Sequence, residues 1–324
     1  MQGIDSTDGI KLSGTELYFD SSKKVPLSFI SNANIDSLPN HKKIVATPET
    51  IKLLGNKIKN SIVLSCPYNK PFTLGKSQIE LIPSGYMLGG SQIVVEEDGK
   101  RLIYTGDFKL RYSKTAEYVE MRRCDTLVMK CIYGLPKFSF PETEIVMEAI
   151  LDFIRETLSS GKTPVVIIDK MGKAQDLIIY LGDRSFDMCL HPTIVKILKL
   201  YEQLGVKFPY YENLKRKNLK NKVVIIPPYF RGSNLIENIQ NKKVCVVMGW
   251  SMDNGAFVRS AFKADVAFPL SNHAGYDELL QYVEIAKPKE ILLIDGFNIE
   301  FARTLNKYGY NAKPIKSPTQ LNLF

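Results

Sequence analysis

The chain has 324 residues, 44% of them apolar, which is enough to build a hydrophobic core in one large α/β domain or two ordinary ones. Lys and Arg number 43 against 34 Asp and Glu, so the net charge of +9 favours a polyanionic partner or an acidic surface and argues against a cationic one.

Cysteine usage and the absence of targeting signals predict a cytoplasmic location. The five cysteines are spread out, odd in number and contain no C-x-x-C pair, which predicts reduced thiols in an intracellular protein. No apolar run approaches the roughly 20 residues that span a bilayer, and the first residues do not resemble a secretory signal.

The first half of the chain alternates short apolar stretches with turn residues and therefore predicts a mainly β layer. Asp98-Gly99 is the strongest hairpin signal, because both residues tolerate the positive φ of a tight turn. The predicted strands are 17–19, 27–30, 44–46, 79–82, 92–96 and 101–104.

From about residue 143 the pattern changes to amphipathic helices followed by strands that are apolar at every position. Such strands suit a parallel sheet covered on both faces. The predicted helices are 145–158, 174–181, 193–204, 276–286 and 299–308, and the predicted strands are 164–168, 223–226, 244–248 and 290–294.

Several motifs resemble signatures of the metallo-β-lactamase superfamily in its β-CASP nuclease branch. They are Pro83-Ser84-Gly85-Tyr86-Met87-Leu88-Gly89-Gly90-Ser91, Tyr104-Thr105-Gly106-Asp107-Phe108-Lys109 and Phe268-Pro269-Leu270-Ser271-Asn272-His273-Ala274, supported by Ala46 to Thr50, Cys131 to Pro136 and Gly172 to Asp176. The resemblance covers essentially the whole chain and is closest to compact archaeal RNA 3′-end processing factors and ligase-associated exonucleases.

That resemblance implies an α/β fold: a metallo-β-lactamase αββα sandwich with an inserted β-CASP α/β domain. It places residues 1–144 and 263–324 in the metallo-β-lactamase-like domain and residues 145–262 in the β-CASP domain. No appended KH-type RNA-binding module is expected, because the chain starts almost at the first strand.

In active members of that branch, two zinc ions held mainly by histidines generate the attacking hydroxide and hold the phosphate. The corresponding positions here are Asn32, Asn34, Asp36, Ser37, Tyr86, Asp107, Lys130, His273 and Asp295. The chain holds only three histidines, so the five imidazoles of an active site are not available. Amides and hydroxyls are poor zinc ligands, and an ammonium at Lys130 repels a dication.

We therefore expect no catalytic residues, no metal and no cofactor, with an ion pair from Lys130 to Asp107 or Asp36 filling the pocket. Structural roles are the alternative for four of these residues: turn or cap positions for Asp36 and Asp107, a hydrogen bond from His273 to backbone at a helix start, and space filling by Tyr86.

Two groups of basic residues are predicted to contact nucleic acid. One is the run Lys215, Arg216, Lys217, Lys220 and Lys222, for which a solvated loop is the alternative interpretation; the other is Lys109 and Arg111 beside the Asp107 motif. The turn before Ala174 resembles a phosphate loop but lacks its spacing, so it predicts only the start of a helix.

The leading functional hypothesis is an inactive pseudonuclease that binds RNA or single-stranded DNA in RNA processing or DNA repair. An active β-CASP nuclease, a helicase or a ligase would be its partner. Two alternatives stay open: a residual nuclease that binds Mg²⁺ or Mn²⁺ through Asp36, Asp107 and Asp295, with Asn32 and Asn34, and a scaffold that binds proteins only.

Overall fold

The computed structural model describes residues 3–6, 9–35, 37–215, 219–252 and 255–315. The chain forms two units. Unit 1 contains Met1–Tyr112, Ala116–Ser139 and His273–Phe324, and unit 2 contains Ser113–Thr115 and Phe140–Asn272. The predicted assignment of these regions to a metallo-β-lactamase-like and a β-CASP domain stays a prediction. Unit 2 runs to Asn272, beyond the predicted boundary at residue 262.

The first part of unit 1 is rich in strands, as its alternating pattern predicts. Its elements are β1 (Ile4–Asp5), β2 (Lys11–Leu12), β3 (Leu17–Phe19), β4 (Leu27–Phe29), β5 (Lys43–Ala46), α1 (Pro48–Leu54), β6 (Ile62–Ser65), β7 (Phe72–Leu74), β8 (Ser77–Pro83), β9 (Ser91–Glu97), β10 (Lys100–Tyr104) and β11 (Thr126–Lys130). The Asp98-Gly99 turn joins β9 to β10, with φ angles of 50° and 71°, and the predicted hairpin is confirmed.

Unit 2 alternates helices and strands. Its elements are α2 (Thr143–Ser159), β12 (Thr163–Ile168), α3 (Lys173–Gly182), β13 (Met188–Leu190), α4 (Pro192–Glu202), β14 (Glu212–Asn213), β15 (Val223–Ile226), α5 (Asn234–Glu237), β16 (Lys242–Val247), α6 (Ala256–Phe262) and β17 (Val266–Phe268). The chain then returns to unit 1 with α7 (Tyr276–Ala286), β18 (Glu290–Ile294), α8 (Asn298–Lys307) and β19 (Ala312–Pro314).

Two sheets face each other in unit 1. One has the order β1-β2-β3-β4-β5-β6, and the other has the order β19-β18-β11-β10-β9-β8-β7. Strands of the second sheet bury both faces: Ile103 packs towards α7 and α8, whereas Leu102 and Tyr104 pack against the first sheet. Because successive side chains of a strand point to opposite faces, one strand contributes residues to two hydrophobic cores. The metallo-β-lactamase-like α/β architecture is confirmed.

The single sheet of unit 2 is parallel at every described pairing, in the order β14-β13-β15-β12-β16-β17. On β12, Val166 and Ile168 pack against α2, α3 and α4, while Val165 and Ile167 face the layer that contains α5 and α6. This double burial explains why the strands carry no polar alternation, and the predicted parallel sheet is confirmed.

Helix α1 was missed by sequence analysis although its start carries two standard signals. Thr47 caps the helix through a hydrogen bond from the Thr50 N–H, and Pro48 occupies the first turn. Its run of seven residues is too short to show a clear 3.6-residue period.

None of the described helices combines the length and the apolar character that crossing a bilayer requires.

Candidate functional site

The loop that follows β4 is tied to the end of β3 by a carboxylate. Asp20 accepts hydrogen bonds from the Ser31 N–H at 2.8 Å and from the Ser31 hydroxyl at 2.7 Å. The buried Tyr104 hydroxyl donates to the same carboxylate at 2.8 Å. Sequence analysis missed Asp20, and the available signal was a carboxylate placed directly after a buried strand.

Two carboxamides of this loop bind its neighbours. Asn32 donates from Nδ2 to Asp107 at 3.1 Å, while its Oδ1 accepts the Asn34 N–H at 2.9 Å. Asn34 in turn donates from Nδ2 to the Tyr86 hydroxyl at 2.9 Å. The structure thus brings together four of the residues that the motifs single out, with amide donors holding a carboxylate and a phenol.

A lysine supplies the positive charge at the centre of this group. Lys130, the last residue of β11, places Nζ 3.2 Å from Oδ2 of Asp107 and 3.7 Å from Oδ2 of Asp20. The side chains of Lys130 and Asp107 are only 16% and 15% exposed. The predicted ion pair between them is present.

His273 approaches the other oxygen of the same carboxylate. Its Nδ1 lies 3.3 Å from Oδ1 of Asp107, and its ring centroid lies 4.9 Å from that of the buried Tyr86. The sequence favoured a hydrogen bond to backbone at a helix start, but the ring is directed at Asp107, and α7 begins only at Tyr276. Tyr86 fills the space beside the imidazole, in line with its predicted space-filling role.

The charges of this group stabilise one another. Burial alone would raise the pKa of the Asp107 carboxyl, but the Lys130 ammonium and the hydrogen bond from His273 hold that pKa well below its usual range. Burial alone would lower the pKa of Lys130, but the Asp107 carboxylate holds it well above its usual range. Both residues are therefore charged at neutral pH.

A small cavity adjoins the ion pair. It has a volume of about 30 Å³ and is lined by polar groups of Asp20, Tyr104, Lys130 and Asp295. This volume suits about one water molecule. Asp295 has a left-handed backbone with φ of 60° and adds a further negative charge near Lys130.

The family resemblance implies two zinc ions, and the side chains present do not fit them. Among the residues that the structure describes, no group of three or more His, Cys, Asp or Glu side chains could hold a metal ion. Amides, a phenol and an ammonium surround Asp107 instead. Ser37 is exposed, and Asp36 lies outside the described residues.

The predicted nucleic-acid contacts have different surroundings. Lys109 is buried, with 3% exposure, and Arg111 is paired with Glu278, both side chains being 10% exposed. Neither residue presents its charge to a phosphate. Lys222 is bound to Glu212 at 2.7 Å.

The rest of the basic run divides into two parts. Lys215 and Lys220 are exposed, as expected for a solvated loop or a phosphate contact, and Arg216 and Lys217 lie outside the described residues.

A different basic and aromatic group, which sequence analysis missed, lies at the carboxyl ends of β12 and β15 in unit 2. Lys170 Nζ stands 5.6 Å from the ring centroid of Tyr229, which is 57% exposed. The next residues are Phe230, whose ring lies 4.6 Å from that of Tyr229, and the exposed Arg231. The signal was the position of these residues directly after apolar strands, where parallel sheets place their binding residues.

Comparisons with known proteins agree with this fold. A stretch of 300 residues, 91% of the chain, is 34% identical to a probable DNA ligase of Opitutus terrae but spans only 29% of that protein. An RNase J-like protein of Methanocaldococcus jannaschii is 23% identical over 73% of the chain and 67% of its own length. No family model matches the chain.

A solved structure has a similar fold. A protein of unknown function from Enterococcus faecalis superposes with a TM-score of 0.57 at 12% identity, covering 82% of this chain and 74% of that one. Shorter stretches of 122 and 148 residues resemble an RNase of Saccharolobus solfataricus at 27% identity and a transcription termination factor of Methanothermobacter thermautotrophicus at 26%. Together with the motifs around Tyr86, Asp107 and His273, these similarities show that the chain belongs to the β-CASP branch of the metallo-β-lactamase superfamily.

Proposed function

We propose that the chain is a catalytically inactive β-CASP protein, a pseudonuclease that binds nucleic acid without cutting it. The observation that carries this proposal is the ion pair between Lys130 and Asp107 at the centre of the motif residues. An ammonium 3.2 Å from the carboxylate already neutralises the negative charge that would attract a metal ion.

The ammonium also disfavours a residual Mg²⁺ or Mn²⁺ site that uses Asp107 and Asp295. A divalent ion would have to displace a cation whose pKa is raised by the same carboxylates, at a cost in charge repulsion. Asn32 already donates from Nδ2 to Asp107 and accepts the Asn34 N–H at Oδ1. Metal binding by this carboxamide would therefore break these hydrogen bonds.

Binding of nucleic acid is supported by charge and by the group at the carboxyl edge of the unit 2 sheet. A net charge of +9 attracts a polyanion from solution. Lys170 and Arg231 can neutralise phosphates, and the exposed ring of Tyr229 offers a face on which a base can stack.

Two of the relatives are named as DNA ligases, which favours a role beside DNA ligation, whereas others are named as RNases. The probable DNA ligase of Opitutus terrae contains a region like nearly the whole of this chain. DNA ligase 6 of Arabidopsis thaliana is 22% identical over 79% of this chain and 20% of its own length. We propose single-stranded DNA as the ligand and DNA repair as the setting, with a ligase, a helicase or an active nuclease as the partner.

The decisive experiment uses the purified full chain with labelled single-stranded DNA and RNA oligonucleotides. We expect binding that weakens as salt rises, no cleavage with Mg²⁺, Mn²⁺ or Zn²⁺, and no stoichiometric transition metal in protein purified without chelators. Metal-dependent cleavage that disappears in an Asp107→Ala variant would establish a residual nuclease instead. No binding at low salt would leave the chain as a protein scaffold and overturn the proposal.

A further inference from the structure

Two edge strands of unit 1 leave an apolar hollow between the sheets. Within the described residues, β6 pairs only with β5 and β7 pairs only with β8, so each ends its sheet. Beside them lies a cavity of about 210 Å³ whose edge is lined by Leu64, Phe72 and Leu74. Protein interiors are close-packed, so an apolar hollow of this size is unusual in a finished core.

Strand β6 carries neither a charged residue nor a proline within its four residues. Its sequence is Ile62-Val63-Leu64-Ser65, and Ile62 and Leu64 are 60% and 41% exposed. Natural sheets usually guard such edges with inward-pointing charges, prolines or bulges. An unguarded apolar edge beside a hollow is the arrangement that accepts an additional strand.

The segment of sequence that carries the two edge strands is rich in lysine. Between residues 42 and 76 the sequence carries seven lysines and one acid, Glu49. Lys43 is paired in register with Ile62 and lines the hollow, so its charge stands at one end of the edge. Lys59 precedes β6, Lys76 follows β7, and both are exposed.

Register gives the chemistry of each position along the edge. Lys43 and Val45 lie on the face of β5 that meets the other sheet, beside Ile62 and Leu64 respectively. A strand added next to β6 would place one inward side chain beside Ile62, one strand further out than Lys43 but within reach of its long side chain. Another inward side chain, two residues away, would lie beside Leu64 and the hollow. The first position suits a carboxylate and the second an apolar group.

We propose that β6 and the hollow dock an extended segment of a partner protein in which an acidic and an apolar residue lie two positions apart, on the same face of the added strand. The apolar side chains close the core between the two sheets, and the acidic ones meet Lys43 and Lys59. A second copy of this chain fits poorly, because two β6 edges would bring the two sets of lysines together. This surface shares no residue with the Lys130 centre or with the proposed nucleic-acid contacts.

The test uses a blocked peptide of about eight residues, a typical strand length, in which glutamate and valine alternate along one face and threonine occupies the other face, and a second peptide with lysine in place of glutamate. Methyl-labelled full chain reports binding through the NMR signals of Leu64 and Leu74. We expect the acidic peptide to shift both signals and to protect the amides of β6 from exchange, while the basic peptide shifts neither.

Two variants and a control complete the experiment. Leu64→Arg should abolish the NMR shifts caused by the acidic peptide. Lys43→Glu should reduce the affinity for that peptide by about tenfold, because it replaces an attraction between opposite charges with a repulsion. Ile145→Arg, at a 65% exposed position of unit 2, should bind as the unchanged protein does. Absence of acidic-peptide binding, equal binding of both peptides, or full binding by a folded Leu64→Arg variant would each overturn the proposal.

Discussion

The ammonium of Lys130 lies 3.2 Å from the carboxylate of Asp107, with His273 3.3 Å away on the other carboxylate oxygen. Asn32 donates to the same carboxylate at 3.1 Å, so this acidic side chain is bound by three nitrogen donors. The side chains of Asp107, Lys130 and His273 are 15 to 29% exposed. Electrostatic interactions in such surroundings are weakly screened, and the stability of unit 1 should depend on them.

Lys130→Met is expected to destabilise the protein by about 3 kcal/mol at neutral pH, because it leaves the buried Asp107 charge without its ammonium partner, held only by the Asn32 carboxamide and the His273 imidazole. Urea unfolding measures the change. Lys289→Met is the matched control: its ammonium also pairs with an aspartate, Asp125, at 2.7 Å but is 83% exposed, so it should cost less than about 1 kcal/mol.

The loss in Lys130→Met should depend on pH. In the unchanged protein the folded pKa of Asp107 lies below its unfolded value of about 3.9, so its stabilisation is present above that pH and disappears as pH falls through the folded pKa. In the variant the largest cause that lowers the pKa is removed, so the folded pKa of Asp107 rises and its stabilisation above about pH 4 is reduced. The deficit should therefore shrink as pH is lowered towards about 4, and a deficit independent of pH would contradict the ion-pair account.

Replacing both partners should be milder than replacing one. The double variant Lys130→Met with Asp107→Asn removes both charges, and such exchanges are often close to neutral, within about 1 kcal/mol. The coupling free energy from the double-mutant cycle should thus be about 2 kcal/mol or more. Independent, additive effects would show that the two side chains do not interact.

Arg111→Met is expected to reduce stability rather than binding of oligonucleotides. Glu278 accepts the N–H groups of Leu110 and Arg111 at 2.7 and 2.8 Å and that of Gly275 at 2.7 Å, and it also binds the Arg111 guanidinium. Removing one partner of this buried pair should cost about 3 kcal/mol. Filter binding with the folded variant should give unchanged affinity and salt dependence; a smaller salt slope would restore Arg111 as a phosphate contact.

Gly106→Ala should disturb the loop after β4. Gly106 has φ of +55°, and an added Cβ would lie 2.5 Å from the Ser31 Cβ, so Ser31 would have to leave its hydrogen bonds to Asp20. We expect a loss of about 2 kcal/mol or more in thermal or urea unfolding. Gly75 also has a positive φ, of +62°, but has open space around it. Gly75→Ala should therefore reduce the free energy of unfolding by only about 1 kcal/mol, which measures the backbone strain without the steric clash.

Two substitutions at the carboxyl edge of the unit 2 sheet should separate charge from stacking. Lys170→Ala should lower the slope of log affinity against log salt by about 0.7 for single-stranded DNA. Tyr229→Ala should weaken binding by about 1 to 3 kcal/mol with the slope unchanged. Tyr210→Ala, at a 76% exposed position, is the control that should change neither quantity.

Sequence patterns predicted the elements that are long or strongly apolar. The run Val223 to Ile226 and the helix from Tyr276 to Ala286 have the bounds that the pattern predicts. Strands such as β14 and β17 were missed, because two or three residues with mixed burial carry no readable period. Their positions depend on neighbouring strands in the sheet, which local sequence does not encode.

At the candidate site, motif spacing identified Asn32, Tyr86, Asp107 and Lys130, which the fold brings together from separate loops and strand ends. It did not identify Asp20, because that carboxylate acts through contacts with residues 11 and 84 positions away in the chain. The orientation of His273 was also missed, since it depends on rings from distant parts of the chain, Tyr86 and Tyr133, which pack against the imidazole.

The carboxylates that surround Lys130 make this centre resistant to stepwise change. Asp20, Asp107 and Asp295 all act on Lys130, and its single ammonium offsets part of their combined negative charge. A single substitution towards a cation-binding pocket would either remove the ammonium that these acids interact with or place a histidine next to a fixed positive charge. Converting the proposed pseudonuclease into a metal-dependent hydrolase would therefore require several substitutions together, because each single change gives a less stable protein.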